Sequence, residues 1–131
     1  MAPCDLVIEA ATEREAIKRQ IFENVGKVLG AEAILASNTS SIPITRLAQA
    51  APDASRFMGV HFFNPVPVMG LIELIRGLAT TDETVAKAEG FARAIGKTVV
   101  QSTDSPAFIV NRILLPMLNE ACFVLSEGIA S

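Results

Sequence analysis

The sequence predicts an α/β fold in which short buried strands alternate with helices around a largely parallel sheet. Two observations lead to this prediction. Apolar runs of strand length recur along the chain, and the segments between several of them have apolar residues at helical spacing. Half of the 131 residues are hydrophobic, only 19% are charged, and the net charge of −3 is scattered, which is typical of a single packed domain.

Each predicted element depends on a local signal. Strands are predicted where a short apolar run stands between turn residues. Three of the helices are predicted to begin at hydroxyl residues, because Thr12 and Thr80 each have a glutamate three positions later and Ser105 is followed by Pro106. The predicted strands are residues 5–9, 33–36, 57–63, 71–75 and 98–101. The predicted helices are residues 12–30, 43–51, 80–96 and a long helix from residue 105.

Composition argues against several classes of function. The 11 basic residues form no basic run, and the chain has no Trp or Tyr to stack on bases, so nucleic-acid binding is not expected. The N-terminus lacks a signal-peptide pattern, and the apolar segment 107–125 carries too many polar residues to span a membrane. We therefore expect a cytoplasmic protein. Cys4 and Cys122 stand in unrelated contexts, so neither a disulfide framework nor a metal site is predicted.

The chain's one histidine, His61, stands twelve residues before Glu73, and both are flanked by apolar residues. If residues 57–63 and 71–75 pair as adjacent strands, the carboxylate can approach one imidazole nitrogen and leave the other for a ligand. That arrangement is a general base with its orienting partner. A core histidine bonded to a backbone carbonyl is an equally open alternative. A carboxylate among apolar residues is costly to bury without a partner, which favours the pair.

Three further polar sites have both a functional and a structural interpretation. The segment 37–41, Ser-Asn-Thr-Ser-Ser, follows a predicted parallel strand, where ligands bind in open α/β sheets, but a polar turn also explains it. Asn111 can contact a substrate or bond to a neighbouring helix. Glu13 and Lys18 can reach a ligand at the end of the first strand or line a solvated helix face. No G-x-S-x-G sequence surrounds a serine, which argues against a serine hydrolase.

Five stretches, in their order and spacing, resemble the NAD-dependent 3-hydroxyacyl-CoA dehydrogenases, including the bacterial 3-hydroxybutyryl-CoA branch. They are DLVIEA (5–10), ASNTSS (36–41), GVHFFNPVPVM (59–69), LIELIRG (71–77) and DSPAFIVNRIL (104–114). The resemblance implies that residues 1–104 are the second half of a Rossmann-type, doubly wound sheet. It also implies that residues 105–131 begin an all-helical domain that closes the active site and forms the dimer.

The resemblance implies a role for each matching residue. His61 is expected to be the general base that takes the proton from the 3-hydroxyl of an L-3-hydroxyacyl-CoA while C3 gives hydride to NAD. Glu73 is expected to orient that base and to balance its positive charge. Ser40 is expected to contact the reacting oxygen and the cofactor, and Asn111 to be a further active-site residue. The residues expected to contact NAD are Glu13, Lys18, Ser40 and Asn64.

The chain departs from the family pattern at the Gly-rich turn. No G-x-G-x-x-G sequence stands at a strand-to-helix turn, so the family's pyrophosphate-binding fingerprint is absent from these 131 residues. Two alternatives to an active dehydrogenase therefore stay open: a truncated, non-catalytic remnant, and an acyl-CoA or nucleotide-binding module without turnover. The apolar residues spread around the last helix predict a homo-oligomer formed through that helix.

Overall fold

A computed structural model of the chain describes residues 4–130, within which five strands alternate with four α-helices. The strands are β1 (Leu6–Glu9), β2 (Ile34–Ser37), β3 (Phe57–Phe62), β4 (Leu71–Arg76) and β5 (Thr98–Thr103). The helices are α1 (Glu15–Gly26), α2 (Ile44–Leu47), α3 (Asp82–Ala94) and α4 (Val110–Ser126). The predicted α/β class is confirmed. The outermost residues of the two predicted domains, 1–3 and 131, lie outside the described residues.

The strands form one sheet in the order β1-β2-β3-β4-β5. Three of the pairings are parallel, and β4 runs antiparallel to β3. Antiparallel pairing is expected at that place because the connection between the two strands, residues 63–70, is too short for a crossover. The condition set for a contact between His61 and Glu73 is therefore met: the two strands are neighbours, and their register sets His61 directly opposite Glu73.

Alternating side chains divide the sheet into two buried faces. One face packs against α1, α2 and the turn before α4, and its core includes Phe57 of β3. The opposite face packs against α3, with Val60 of β3 near Ala88 in one cluster. Because side chains two and four residues apart share a face, His61 lies on the same face as Phe57. Glu73, its cross-strand partner, lies there too.

Helix α1 is shorter than predicted at both ends. It begins at Glu15 rather than Thr12, and no capping box forms. The Thr12 hydroxyl accepts the N–H of Arg14 at 3.2 Å, two residues on, and so forms a local turn instead of a helix cap. The helix ends at Gly26, four residues before the predicted Gly30. The capping pattern therefore marked the loop that leads into the helix.

The buried face of α1 includes a lysine. Its buried residues are Lys18 and Phe22, four positions apart, whereas Ile17 and Val28 are exposed. The lysine lies inside because a buried carboxylate, Glu9 of β1, receives its ammonium group at 2.6 Å. Hydropathy alone assigns a lysine to solvent, so the burial of Lys18 depends on this ion pair.

Helix α3 begins one residue later than its capping pattern predicts. Its N-cap is Thr81, because the neighbouring Thr80 hydroxyl is engaged in the core, where it donates to the Phe57 carbonyl at 2.6 Å and accepts from the Gly77 N–H at 3.0 Å. The helix ends at Ala94, two residues before the predicted end at Gly96. Gly96 has a φ of +75°, the left-handed conformation that glycine adopts after a helix without a Cβ penalty.

Helix α4 does not begin at Ser105 and Pro106 as predicted. Its first helical residue is Val110, and the residues before it form a turn. Within that turn Ala107 and Phe108 have φ values of 65° and 53°, which residues other than glycine rarely adopt. The turn carries the Phe108 ring into the core, where the residue is only 3% exposed. Burial of this ring offsets the backbone strain.

Gly59 of β3 allows α2 to lie close against the sheet. A Cβ at this position would be 2.8 Å from Ile75 Cβ and 2.9 Å from Ile44 Cδ1, closer than carbon atoms can pack. The carboxylate of Asp104 fixes the same helix from its N-terminus by accepting the N–H groups of Ile44 and Thr45, both at 2.8 Å. Helix α2 is therefore held closely beside the strand that carries the histidine.

Helix α4 contributes little to the core, since none of its residues is buried. Its exposed large apolar side chains are Ile113, Leu115, Met117, Leu118, Phe123 and Leu125. Even so, no helix within residues 4–130 combines the length and the apolar character that crossing a membrane requires.

Candidate active site

His61 and Glu73 form a buried hydrogen-bonded pair across β3 and β4. Nδ1 of the histidine lies 2.7 Å from Oε2 of the glutamate, and the residues are 3% and 0% exposed. An ionised carboxylate only accepts hydrogen bonds, so Nδ1 donates in this contact, and in a neutral imidazole the lone pair is then on Nε2. The geometry is the one predicted for an oriented general base, and a backbone carbonyl partner is not needed to explain the buried imidazole.

The second nitrogen of His61 points towards the surface. Nε2 lies 3.1 Å from Oγ of Ser40, and Ser40 is an exposed residue in the loop after β2. The rings of Phe63 and Phe108 lie beside the imidazole, with centroid distances of 4.8 and 5.6 Å. The aromatic rings cover the sides of the imidazole, and only a hydroxyl group lies next to Nε2. Nε2 is therefore the nitrogen through which the histidine can contact a ligand.

Glu73 has a second set of partners that the sequence did not predict. Its other oxygen, Oε1, accepts the backbone N–H groups of Ile109 at 3.0 Å and Val110 at 2.9 Å. These groups lie at the start of α4, where helical N–H groups lack intrahelical partners and the helix dipole favours negative charge. The carboxylate that contacts His61 therefore also caps the last helix.

The loop after β2 is organised by the carboxylate of Glu13. Oε1 of Glu13 accepts the Thr39 hydroxyl at 2.6 Å, the Ser40 N–H at 3.0 Å, and both the N–H and the hydroxyl of Ser41 at 3.2 and 3.1 Å. Partial burial raises the pKa of Glu13, but these hydrogen bonds and the positive charge of Lys18 outweigh it, so the pKa lies below its ordinary value. Glu13 thereby fixes the backbone that carries Ser40.

One more contact ties this loop to the sheet, and another closes a turn within the loop. The side-chain carbonyl of Asn38 accepts the N–H of Phe62, at the end of β3, at 2.9 Å. The Thr39 hydroxyl accepts the N–H of Ile42 at 3.0 Å in a local turn. Thr39 is fully buried and Ser40 is exposed. The segment is thus a polar turn, as one interpretation predicted, and this turn also presents the Ser40 hydroxyl to the histidine.

Lys18 lies at the centre of a buried polar network. Its ammonium group is 2.6 Å from Glu9 Oε2, 3.3 Å from Ser37 Oγ and 3.8 Å from Glu13 Oε2. The residue is 0% exposed, so a solvated helix face, one of its two predicted environments, is wrong. Sequence reasoning missed Glu9 and Ser37. The available signals were an acid that ends an apolar strand and a lysine four residues before the buried Phe22.

The structure brings the predicted residues together to different degrees. Ser40, His61 and Glu73 form one hydrogen-bonded line, and Glu13 joins it through the Ser40 backbone. Asn111 is half-buried in the first turn of α4, next to the Val110 N–H that Glu73 accepts. Asn64 lies exposed in the loop after β3, three residues beyond the histidine.

The donor set at the carboxyl ends of β1, β2 and β3 fits part of a nicotinamide dinucleotide. In open α/β sheets such ligands bind in the crevice outside the carboxyl ends of the strands. The exposed polar groups at that edge include the Glu13 carboxylate, whose side chain is 45% exposed, and the Ser40 hydroxyl beside the imidazole. They are suited to ribose hydroxyl and carboxamide groups. The chain contains no Gly-rich turn to receive the pyrophosphate.

Comparisons with known proteins by family model and by sequence agree on one family. The family model described as 3-hydroxyacyl-CoA dehydrogenase, NAD binding domain, matches residues 1–105. The 3-hydroxybutyryl-CoA dehydrogenase of Bradyrhizobium diazoefficiens is 57% identical over 100% of this chain and 45% of its own length. The human mitochondrial hydroxyacyl-coenzyme A dehydrogenase is 45% identical over 97% of this chain and 40% of its own length.

A solved structure agrees with these sequence matches. The crystal structure of (S)-3-hydroxybutyryl-CoA dehydrogenase from Ralstonia eutropha has a TM-score of 0.93 and 54% identity, covering 97% of this chain and 45% of that one. The chain therefore spans a little under half the length of the relatives it matches. The resemblance recognised in the five sequence stretches is confirmed. This chain belongs to the 3-hydroxyacyl-CoA dehydrogenase family, whose NAD-binding-domain model it matches over residues 1–105.

Proposed function

We propose that this chain carries the acid-base machinery of an NAD-dependent dehydrogenase that interconverts L-3-hydroxyacyl-CoA and 3-ketoacyl-CoA. The observation that carries the proposal is the line from Ser40 Oγ through His61 to Glu73, with contacts of 3.1 and 2.7 Å. Oxidation of a secondary alcohol needs one base that can take the hydroxyl proton at the moment the carbon loses hydride. A histidine whose other nitrogen is fixed by a buried carboxylate is suited to that task.

His61 takes the proton and Glu73 stabilises the resulting charge. The lone pair of Nε2 accepts the proton of the 3-hydroxyl, the C–O bond becomes a carbonyl, and the hydride leaves C3. The chemistry that NAD supplies when bound is acceptance of that hydride. The imidazolium then lies 2.7 Å from the Glu73 carboxylate in a buried environment, where the attraction is stronger than in water. In the reverse direction the same nitrogen returns the proton to the oxygen.

Ser40 and Asn111 are proposed to position the substrate. The Ser40 hydroxyl occupies the space next to Nε2, so it can bond to the reacting oxygen while that oxygen shares its proton with the histidine. Asn111 lies in the first turn of α4, beside the residues that Glu73 caps. Only a neutral imidazole accepts a proton, so the oxidation direction requires the unprotonated form of Nε2.

The proposed contacts to NAD are made at the edge of the sheet. Glu13, Ser40 and Asn64 are exposed polar residues that can bond to the nicotinamide nucleotide. Lys18 is assigned to the same group, but its ammonium group is buried against Glu9. We therefore propose that Lys18 acts through Glu13, whose carboxylate it attracts over 3.8 Å.

The first test uses the 131-residue chain itself. NADH and acetoacetyl-CoA are titrated while thermal unfolding and the nicotinamide absorbance are recorded. Turnover supports the dehydrogenase. A rise in Tm without turnover supports the alternative of a nucleotide or acyl-CoA binding module, and the absence of any response supports the non-catalytic remnant. A ligand that binds only the folded chain raises Tm by an amount that grows with the logarithm of the ratio of ligand concentration to Kd, so the three outcomes differ in a measurable way.

The second test restores a full-length context. The chain replaces the matching segment of the Ralstonia eutropha (S)-3-hydroxybutyryl-CoA dehydrogenase, to which it is 54% identical. We expect the chimaera to oxidise 3-hydroxybutyryl-CoA with NAD. A folded chimaera that binds NADH but shows no turnover would overturn the proposal.

We also propose how the chain is organised beyond the site. Residues 1–104 are assigned to the nucleotide-binding domain and residues 105–131 to the start of a helical domain that joins copies of the chain. The exposed apolar side chains of α4, Phe123 and Leu125 among them, support self-association. Light scattering that finds a well-folded monomer at all concentrations would contradict it.

The proposed compartment is the cytoplasm. Cys4 and Cys122 are both exposed free thiols, a state that a reducing compartment maintains. A fluorescent fusion of the chain is expected to fill the cytoplasm evenly, and accumulation in another compartment would contradict this assignment.

A further inference from the structure

We infer that the first turn of α4 fixes which atom of the side chain at position 73 faces His61 Nδ1: a carboxylate oxygen in this chain and, in Glu73→Gln, the amide nitrogen, which changes the nitrogen of His61 that carries the proton. The inference rests on the proposed function only for the role given to Nε2. The structural claim itself concerns a contact between two parts of the chain that are far apart in sequence, and it can be measured without substrate or cofactor.

Each oxygen of the Glu73 carboxylate has a different set of donors. Oε2 faces His61 Nδ1 at 2.7 Å, and Oε1 accepts from the N–H groups of Ile109 and Val110 at 3.0 and 2.9 Å. Glu73 is 0% exposed, so water cannot replace a lost partner without rearrangement of the site. Whatever group stands at the Oε1 position must therefore be a hydrogen-bond acceptor.

The turn before α4 is built to make this contact. Ala107 and Phe108 both have positive φ values, 65° and 53°, and this reversal aims the next two N–H groups at the carboxylate. The Phe108 ring, 3% exposed, lies with its centroid 5.6 Å from that of His61 and anchors the turn in the same pocket. Strained backbone of this kind persists only where the surrounding contacts over-determine it.

The contact predicts how a glutamine at position 73 would be oriented. A glutamine side chain has one acceptor oxygen and one donor nitrogen. The backbone N–H groups of Ile109 and Val110 need an acceptor, so they bond to the amide oxygen of the glutamine in Glu73→Gln. The amide nitrogen must then face His61. Nδ1 of the histidine then has to accept, its proton moves to Nε2, and the nitrogen needed as a base loses its lone pair. Without the α4 contact the amide would turn over and retain the Nδ1 proton.

The chain's single histidine makes the tautomer directly observable. In 15N-detected proton correlation spectra, the nitrogen that carries the proton and the nitrogen that carries the lone pair have widely separated chemical shifts. Spectra are recorded at the alkaline end of a titration, where the imidazole is neutral, on the unsubstituted chain and on Glu73→Gln. We expect a proton on Nδ1 in the former and on Nε2 in the latter.

A second substitution separates α4 from Glu73. Proline has a φ near −65° and cannot adopt the positive φ of Ala107, so Ala107→Pro removes the turn and withdraws the start of α4. In Glu73→Gln/Ala107→Pro we expect the proton to return to Nδ1. The matched control is Glu73→Gln/Ala107→Gly, because glycine keeps the turn and the Nε2 proton should remain.

Each outcome decides the inference. A proton on Nδ1 in Glu73→Gln overturns it, as does a proton on Nε2 that Ala107→Pro fails to move. Should these variants not fold, amide hydrogen exchange of the unsubstituted chain remains informative: the Ile109 and Val110 N–H groups should exchange slowly because they bond to a buried carboxylate. Exchange at the rate of an unprotected peptide would also overturn the inference. Failure of turnover in the chimaera bears only on the proposed function.

Discussion

His61 and Glu73 face each other across the antiparallel pair of central strands, with Nδ1 and Oε2 2.7 Å apart. Both side chains project from regular strands, so the ladder of backbone hydrogen bonds fixes their separation. A pair held on strands is positioned more rigidly than one held on loops, which is the condition that proton transfer at a fixed distance requires.

Substitution of either member of this pair should remove most of the activity of the chimaera. We expect His61→Ala and Glu73→Gln each to lower kcat by about 10²-fold or more, as for other positioned acid-base groups. Glu23→Gln, a change of an exposed glutamate on α1, is the control and should leave kcat unchanged. Steady-state oxidation of 3-hydroxybutyryl-CoA measures the effect. Near-normal kcat in both variants would remove the general-base assignment.

Ser40→Ala should have a smaller effect than loss of the histidine. The Ser40 hydroxyl contacts Nε2 at 3.1 Å, and loss of one neutral hydrogen bond lowers kcat/KM by about 2- to 10-fold. Ser41→Ala is a matched control, because the Ser41 hydroxyl bonds to Glu13 at 3.1 Å and not to the histidine. Equal losses in the two variants would indicate that the hydroxyl groups act only by shaping the loop.

The strand pairing could be predicted from sequence because its signals are local. Apolar runs, the proline-containing loop after β3 and the isolated charge of Glu73 together indicate adjacent strands with a paired histidine. The position of Ser40 could be predicted as well, since the loops after parallel strands meet at one edge of a sheet. These features follow from periodicity and from the cost of burying a charge.

The start of α4 and the interior of α1 could not be predicted in this way. Pro106 after Ser105 is a common helix start, but burial of Phe108 and capping by Glu73, 36 residues away, delay the helix to Val110. The burial of Lys18 likewise depends on Glu9, a residue of another element. Both deviations arise where a long-range polar contact outweighs a local preference.

The pH dependence of stability should contain a contribution from Glu13. Its pKa is lower in the folded chain than the ordinary value of 4.5, so on acidification the unfolded chain binds the proton first and unfolding is favoured. The stabilising effect is present above pH 4.5 and is lost as the pH falls through the folded-state pKa. Urea unfolding of the chain and of Glu13→Gln should therefore show a difference at neutral pH that shrinks in acid. A difference independent of pH would contradict the argument.

Gly59→Ala should destabilise the fold, because its Cβ would lie 2.8 Å from Ile75 Cβ and 2.9 Å from Ile44 Cδ1. Forcing one methyl group into such a contact lowers the free energy of unfolding by about 1–3 kcal/mol. Gly90→Ala is the matched control. Gly90 lies exposed in α3 with nothing within 4 Å of the added atom, and alanine there should stabilise the chain by about 0.5–1 kcal/mol. Denaturant midpoints of the two variants should move in opposite directions.

Lys18→Met should strongly destabilise the fold. The methionine fills the space of the lysine stem but leaves the Glu9 carboxylate, 5% exposed, without the ammonium group 2.6 Å away. Removing one partner of a buried ion pair lowers the free energy of unfolding by about 3–5 kcal/mol. Replacing both partners removes the unpaired charge, so Lys18→Met/Glu9→Gln should regain a substantial part of that loss. Urea unfolding of the two single variants and the double variant forms a thermodynamic cycle. A double variant as unstable as the sum of the single changes would show that the two side chains do not stabilise each other.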